Sequence, residues 1–267
     1  MSDDLIRVTR VLSEWLQSGG GLLLMTDYGG TLTPMVSDPA DALLTRNVRA
    51  DLRALTRWRR ARLAVISGRD LGDVRARVAV PGAIYAGCHG LEIDGPGLSF
   101  THPDAEAQQG RLRAASLALC RGAPFVEGMR VEPKRLGLAI HYRHVAVSEY
   151  ETVHAMLARS LLGRGGQFKI FHGSKVIEVL PHVAWSKSRC AQWIHSRIVS
   201  ARPCRSTLAV YMGDDWTDEQ VFEALAGKAV TIKVGNGVPA SRARYRLTDV
   251  SEVHRLLSSL VAAKAAA

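Results

Sequence analysis

The sequence predicts an α/β protein whose parallel-sheet core is interrupted by a smaller inserted α/β domain. Three observations predict it. Short apolar runs alternate with amphipathic helical stretches up to about residue 100 and again after Pro181, the pattern of a parallel sheet with helical crossovers. Between about 125 and 180, four strand-like runs fall in pairs around one helix, so the texture turns β-rich. Several core runs also end abruptly in an acid, a hydroxyl or glycine, which is where open α/β sheets place ligands. The core is read over 1–103 and 182–267, and the insert over 104–181.

Taken in order, residues 4–17 carry Leu5, Val8, Leu12, Trp15 and Leu16 at helical spacing, ended by Ser18-Gly19-Gly20. A strand over about 21–26 follows, with Asp27 at its tip, then Tyr28-Gly29-Gly30-Thr31-Leu32-Thr33. Glycines there let the backbone bend and approach a ligand. A carboxylate at such a tip serves as nucleophile, metal ligand or both, or it merely opens a turn. A helix over about 45–59 leads to Ala64-Val65-Ile66-Ser67-Gly68-Arg69, a strand stopped by a hydroxyl. Ser67 there suits a phosphate oxygen, or equally a helix cap.

A helix over about 70–79 precedes a third strand, Ile84-Tyr85-Ala86, ending in Gly87-Cys88-His89-Gly90. His89 faces the same crevice or is structural. A hairpin over about 91–100 and a helix over about 104–120 follow. The insert's strands are read as Phe125 to Val131, Leu136 to Arg143, Gln167 to Phe171 and Val176 to Leu180, with a helix over about 148–162. Alternation puts Ile140 and Tyr142 on one face and His141 and Arg143 on the other. That polar face is either solvent-exposed or built to bind a polyhydroxyl or anionic ligand. Lys187 opens a helix over about 187–199. The strand Leu208 to Met212 ends in Gly213-Asp214-Asp215-Trp216-Thr217-Asp218-Glu219. A helix over about 218–226, the strand Val230 to Val234 and a helix near 250–260 complete the core.

The 267 residues are 47% apolar, ample for a sizeable core, and disorder is expected only over Ala262 to Ala267. The net charge of +10 comes from scattered arginines, and with aromatics at 6% there is no basic run or stacking platform for nucleic acid. Cys88, Cys120, Cys190 and Cys204 form no Cys-x-x-Cys pair and read as free thiols in a reducing compartment. His141 and His144 read as no metal site. No signal-peptide core or membrane-length apolar run is present, so a cytoplasmic protein is expected.

Three strand tips and one lysine make a chemically specific set. Asp27 and Asp214 can share a magnesium ion, which favours oxygen ligands. Ser67 and Lys187 can hold phosphate oxygens, and Asp218 can orient a metal-bound water. Phosphoryl transfer needs mainly such positioning and charge neutralisation.

Asp27-x-x-Gly30-Thr31-Leu32, Ser67-Gly68-Arg69, Lys187 and Gly213-Asp214-Asp215-x-Thr217-Asp218-Glu219 together resemble the haloacid dehalogenase (HAD) superfamily. Longer strings resemble the trehalose-6-phosphate phosphatases within it. They are Thr31-Leu32-Thr33-Pro34, Val65-Ile66-Ser67-Gly68-Arg69, Tyr85-Ala86-Gly87-Cys88-His89-Gly90, Val131-Glu132-x-Lys134, His141-Tyr142-Arg143 and Lys175-Val176-Ile177-Glu178. The resemblance spans about residues 20–260. It implies a Rossmannoid HAD-type core with an α/β cap inserted after the third strand. It implies hydrolysis of trehalose 6-phosphate to trehalose and phosphate through an aspartyl-phosphate on Asp27.

By the same resemblance Asp27, Gly29, Asp214 and Asp218 form the Mg2+ site, Gly29 through its backbone carbonyl, while Ser67 and Lys187 grip the phosphate. Arg69, His89, Glu132, Lys134, Arg143, Lys175 and Glu178 would bind substrate, and closure of the cap would exclude water. The implied partners are the small-molecule sugar phosphate and a trehalose-phosphate synthase in the same pathway, with no nucleic acid and no membrane.

Gly29 departs from the family, which has aspartate there as general acid and base, help worth about 10²–10⁴-fold. Ser188, where the family usually has glycine, is a smaller departure. Two classes therefore stand: a trehalose-6-phosphate phosphatase impaired by Gly29, or a disabled phosphatase-like protein that binds that ligand without turnover. A related disaccharide or pseudo-disaccharide phosphate as substrate is a further reading within the enzymes.

Overall fold

The computed structural model describes residues 1–36, 38–162, 167–173, 175–200, 206–236 and 240–265. In chain order the elements are α1 Asp3–Gln17, β1 Gly21–Thr26, α2 Arg46–Thr56, β2 Ala61–Ile66, α3 Leu71–Val78, β3 Ile84–Gly87, β4 Glu92–Gly95 and β5 Leu98–Thr101. There follow α4 Pro103–Glu106, α5 Gln109–Gly122, β6 Arg130–Lys134, β7 Gly137–His141, α6 Tyr150–Ser160, β8 Phe168–Gly173 and β9 Val176–Pro181. The last are α7 Lys187–Ser200, β10 Thr207–Gly213, α8 Trp216–Ala224, β11 Ala229–Val234, β12 Tyr245–Leu247 and α9 Val250–Ala265.

The chain forms two compact units, one of Met1–Ser99 with Trp185–Ala267 and the other of Phe100–Ala184. The larger holds an eight-stranded sheet in the order β12-β11-β10-β1-β2-β3-β4-β5. From β12 to β3 every pairing is parallel, and β3 pairs β4 antiparallel. The centre is β1, whose Leu22, Leu23, Leu24 and Met25 are all buried, as a strand covered on both faces demands. Each such side chain contributes about 1.5–3 kcal/mol of burial. Helix α1 starts where the Ser2 hydroxyl accepts the Leu5 N–H, and it buries Leu5, Val8, Leu12 and Leu16 on one face. Those side chains join one core with α2, β1, β2 and α9.

The order reverses at β1, which has β2 on one side and the late strand β10 on the other. The carboxyl ends of these strands at such a switch point form the expected ligand crevice.

The smaller unit has a four-stranded antiparallel sheet, β6-β7-β9-β8. Val131, Ile140 and Ile177 pair in one row, facing a core with Leu119 of α5 and Val153 and Leu157 of α6. Glu132, Ala139 and Glu178 pair in the next row, so they share the opposite face.

Helix α9 runs through Ala265, past Ala262 where disorder is expected to begin, and four further details differ from the expectations. The helix expected over 104–120 is two helices, because the Gln108 N–H bonds to the Ala105 carbonyl, a tightened turn that closes α4. The strand expected from Phe125 begins only at Arg130. Pro124 sits in a tight 3-10 turn, and Gly128 turns with φ +80° where a Cβ would meet the His144 carbonyl at 2.2 Å. The strand expected to reach Arg143 ends at His141, and Arg143 is exposed in the turn after it. Strand β12 is unannounced by the sequence pattern, being three residues with Arg246 in the middle. Cys88, Cys120 and Cys190 are free thiols, whereas Cys204 and residues 266–267 of the C-terminal tail lie outside the described residues.

Candidate active site

The tips of β1 and β10 bring Asp27 and Asp214 together. One oxygen from each of Asp27, Asp214 and Asp218 lies within 4.8 Å of the others. Between two of them sits Lys187, the first residue of α7, with Nζ 2.6 Å from Asp27 Oδ1 and 2.7 Å from Asp218 Oδ1. All of Asp27, Lys187 and Asp218 are buried. Burial lowers the Lys187 ammonium, but the charges of Asp218 and Asp27 outweigh it and raise it well above its usual value. Burial raises the Asp27 carboxyl well above its usual value, Asp218 and Asp214 adding to this while Lys187 opposes it. Burial and the charges of Asp218 and Asp215 push Asp214 up to about 7. Three carboxyls this crowded, with one ammonium among them, are a charge deficit that a divalent cation with oxygen preference fits.

Local chemistry sets this geometry. Asp215 caps α8: its Oδ1 accepts the Thr217 N–H at 2.8 Å, the Thr217 hydroxyl at 2.6 Å and the Asp218 N–H at 3.1 Å. Asp218 returns the bond, its Oδ2 accepting the Asp214 and Asp215 N–H groups at 2.9 and 3.1 Å, a reciprocal capping box. Its Oδ1 also accepts the Tyr211 hydroxyl at 2.6 Å. Burial raises Asp215, but Lys187, the Thr217 hydroxyl, the Asp218 N–H and the His89 imidazole together bring it below the usual carboxylate range. Gly213 has to be glycine, since a Cβ would meet Asp218 Cγ at 2.2 Å.

Gly29 and Gly30 differ sharply. Gly30 has φ +86°, and a Cβ on it would lie 2.1 Å from Asp214 Oδ2. Among the described residues, a Cβ on Gly29 meets nothing within 4 Å apart from its own chain neighbours. The Thr31 hydroxyl donates to Asp214 Oδ1 at 3.1 Å.

Ser67, at the tip of β2, is buried, and its hydroxyl accepts the Arg69 N–H at 3.2 Å. Its carbonyl accepts the His89 N–H at 2.9 Å, tying the tips of β2 and β3. Arg69 turns to local partners: its guanidinium bonds Asp73 at 2.7 Å and the Pro39 carbonyl at 2.7 Å, and lies 5.4 Å over the Tyr28 ring.

In the smaller unit the polar row is a network. Lys134 Nζ donates to Glu178 Oε1 at 2.6 Å, and His141 Nε2 lies 2.8 Å from Glu132 Oε2. Lys175 stands apart from these pairs, with φ +62° and its ammonium 4.3 Å over Tyr150 and 5.9 Å over Tyr142.

Sequence reasoning does not single out Lys233, Tyr211 or Thr31. Lys233 is fully buried on β11, and its ammonium donates to the Asp214 carbonyl. No spacing rule flags it. The hydroxyl of Thr31, next to Gly30 in the first motif, is the one legible signal.

A family described as trehalose-phosphatase matches residues 25–251 of the chain. The chain is 38% identical over 215 residues to a trehalose-phosphate phosphatase of Mycobacterium avium, covering 80% of this chain and 52% of that protein. It is 30% identical over 264 residues to trehalose 6-phosphate phosphatase RA3 of Zea mays, covering 93% and 72%. An uncharacterized glycosyl hydrolase of Mycobacterium tuberculosis is 36% identical over 250 residues, covering 92% of this chain and 18% of that protein. The chain thus spans about half or less of those mycobacterial relatives. Among solved structures, a trehalose-6-phosphate phosphatase related protein superposes with TM-score 0.76 at 21% identity, covering 90% of this chain and 97% of that one. The C-terminal domain of Candida albicans trehalose-6-phosphate phosphatase gives 0.74 at 20% identity, covering 95% and 96%. These likenesses show the same fold.

Proposed function

The chain belongs to the trehalose-phosphatase family, and on that premise we propose that it hydrolyses trehalose 6-phosphate to trehalose and phosphate. The observation that carries this reading is the buried Asp27–Lys187–Asp218 contact with Asp214 within 4.8 Å, at the switch point of the sheet.

Asp27 attacks phosphorus and becomes an aspartyl-phosphate. Lys187 neutralises the charge of the attacking carboxylate and of the phosphoryl oxygens beside it. The Ser67 hydroxyl donates to another phosphoryl oxygen. Asp27, Asp214, Asp218 and the Gly29 carbonyl would hold Mg2+, which supplies charge neutralisation for the phosphoryl group when bound. Asp218 serves the site chiefly by fixing Lys187 and the α8 cap. Glu132, Lys134, Arg143, Lys175 and Glu178 carry recognition of the sugar hydroxyls. The substrate comes from a trehalose-phosphate synthase, and the reaction runs in the cytoplasm. No helix among the described residues is long and apolar enough to cross a membrane.

A second reading has its own observation. Gly29 offers no acid, and among the described residues nothing beyond its two chain neighbours lies within 4 Å of where its Cβ would be. On that reading the chain binds trehalose 6-phosphate, or a related disaccharide phosphate, without turnover. The test is phosphate release from trehalose 6-phosphate with magnesium, alongside binding of the same ligand by calorimetry. Release that Asp27→Asn abolishes supports the phosphatase. Binding without release supports the second reading, and neither binding nor release overturns both.

A further inference from the structure

We propose that His89 donates the proton to the departing sugar oxygen, the role that Gly29 cannot fill. This rests on the phosphatase reading above.

A sugar alkoxide is a poor leaving group and needs a proton as the P–O bond breaks. The carboxyls at the strand tips are already committed. Asp27 attacks. Asp218 is held by Lys187, Tyr211 and two backbone N–H groups. Asp215 is taken up by the α8 cap. Asp214 accepts the Thr31 hydroxyl and stands opposite Asp27 and Asp218. Lys187 is pinned between two of them.

His89 stands two residues past the end of β3, beside the tip of β2. Its N–H donates to the carbonyl of Ser67 at 2.9 Å, so its backbone is anchored to the residue whose hydroxyl takes a phosphoryl oxygen. The turn that presents it is costly and firmly held. Cys88, His89 and Gly90 take φ of 47°, 57° and 89° in succession, two of them without glycine's freedom. The Cys88 N–H donates to the Arg69 carbonyl at 2.7 Å, and the Trp185 indole donates to the Gly90 carbonyl at 2.8 Å. A Cβ on Gly90 would strike Cys190, which fixes the turn against α7. The turn thus stands in the row of strand tips that also carries Ser67, Asp27 and Asp214, next to the Ser67 end of it.

The step balances as follows. An Asp27 oxygen bonds to phosphorus, the bond to the sugar oxygen breaks, and the imidazolium gives that oxygen its proton. Trehalose leaves as a neutral alcohol. Water then attacks the aspartyl-phosphate, the neutral imidazole takes its proton, and phosphate leaves with Asp27 restored as carboxylate.

The test is a cycle of four proteins: the chain, His89→Gln, Gly29→Asp and the double variant. Each is measured by kcat/KM, which reports the steps through departure of the alcohol. The substrates are trehalose 6-phosphate and p-nitrophenyl phosphate, whose phenolate leaves without a proton. His89→Gln is expected to lower kcat/KM for the sugar phosphate about 100-fold in the Gly29 chain. The loss should be no more than about threefold in the Gly29→Asp background, and about threefold or less for the nitrophenyl ester in either background. Equal losses in both backgrounds, or on both substrates, mark a structural or binding role and overturn the proposal. Release from the sugar phosphate only after Gly29→Asp overturns it while leaving the substrate reading intact. Cleavage of the nitrophenyl ester alone by all four overturns both.

Discussion

Lys187 Nζ stands 2.6 Å from Asp27 Oδ1, both side chains buried, although they are 160 positions apart in sequence. The contact ties the first residue of α7 to the tip of β1. Replacing Lys187 by methionine would leave Asp27 and Asp218 as buried carboxyls without their shared cation. Removing one partner of a buried ion pair costs about 3–5 kcal/mol. Lys187→Met is expected to lose stability of this order in urea unfolding with a chelator present, and to abolish phosphate release.

Neighbouring glycines should respond oppositely. Gly29→Ala enters open space at an ordinary φ and is expected to change stability by less than about 1 kcal/mol. Gly30→Ala must adopt φ +86° and push aside Asp214, a cost of about 1–3 kcal/mol before any loss of magnesium affinity. Parallel thermal unfolding of the two variants checks this. Equal melting temperatures would contradict the geometry.

Lys233 grips the backbone carbonyl of Asp214 from the neighbouring strand. Lys233→Met keeps the length and apolar stem of the side chain and removes the donor. The carboxylate it positions should hold magnesium roughly tenfold or more less tightly, as losses of supporting contacts around metal ligands usually do. The magnesium concentration at half-maximal phosphate release should rise by that factor, while the KM for the sugar phosphate at saturating magnesium stays unchanged.

The start of the chain provides a pH prediction. Glu252 is buried; burial alone would raise it, but the Ser2 hydroxyl, the Thr248 N–H and the Ser2 N–H hold it down to about 2. A carboxyl lowered in the folded state stabilises above its unfolded pKa, near the ordinary 4.5, and the benefit is lost as pH falls from there towards 2. The loss should be on the order of 1 kcal/mol or more. Urea unfolding across that pH range checks it: Glu252→Gln should flatten this part of the stability profile and should lower stability at neutral pH.

The legible parts of this protein are those with a local signature. Asp27 and Asp214 each end an apolar run, so the change of texture marks the strand tip without knowledge of the neighbours. Asp218 is visible as the acid one helical turn after Asp214. Lys233 is not visible, because a lysine inside Val-Thr-Ile-Lys-Val reads as the polar position of a half-exposed strand. Its burial comes from β10, a neighbour that nothing in that stretch announces. Arg69 shows the converse. The resemblance makes it a substrate ligand, and the i, i+4 spacing to Asp73 is a second, purely local signal, met by a 2.7 Å contact with the guanidinium. In the smaller unit, alternation separates the faces correctly around Ile140 and His141. It carries no signal that Pro124 and Gly128 delay β6.

The pairing of β1 with β10 has a consequence for synthesis. Gly21 pairs with Thr207, so the ribosome finishes the strand leading to Asp27 long before the partner leading to Asp214 exists. At about 5–20 residues per second the wait is on the order of ten seconds or more. During it, one edge of a strand built to be fully buried is open to any other chain that offers a strand. The segment Phe100–Ala184, which has a sheet and a core of its own, emerges within the same interval. The nascent protein therefore passes through a stage with a fully synthesised insert and a half-built sheet. That stage is where aggregation competes and where a chaperone has the most to protect.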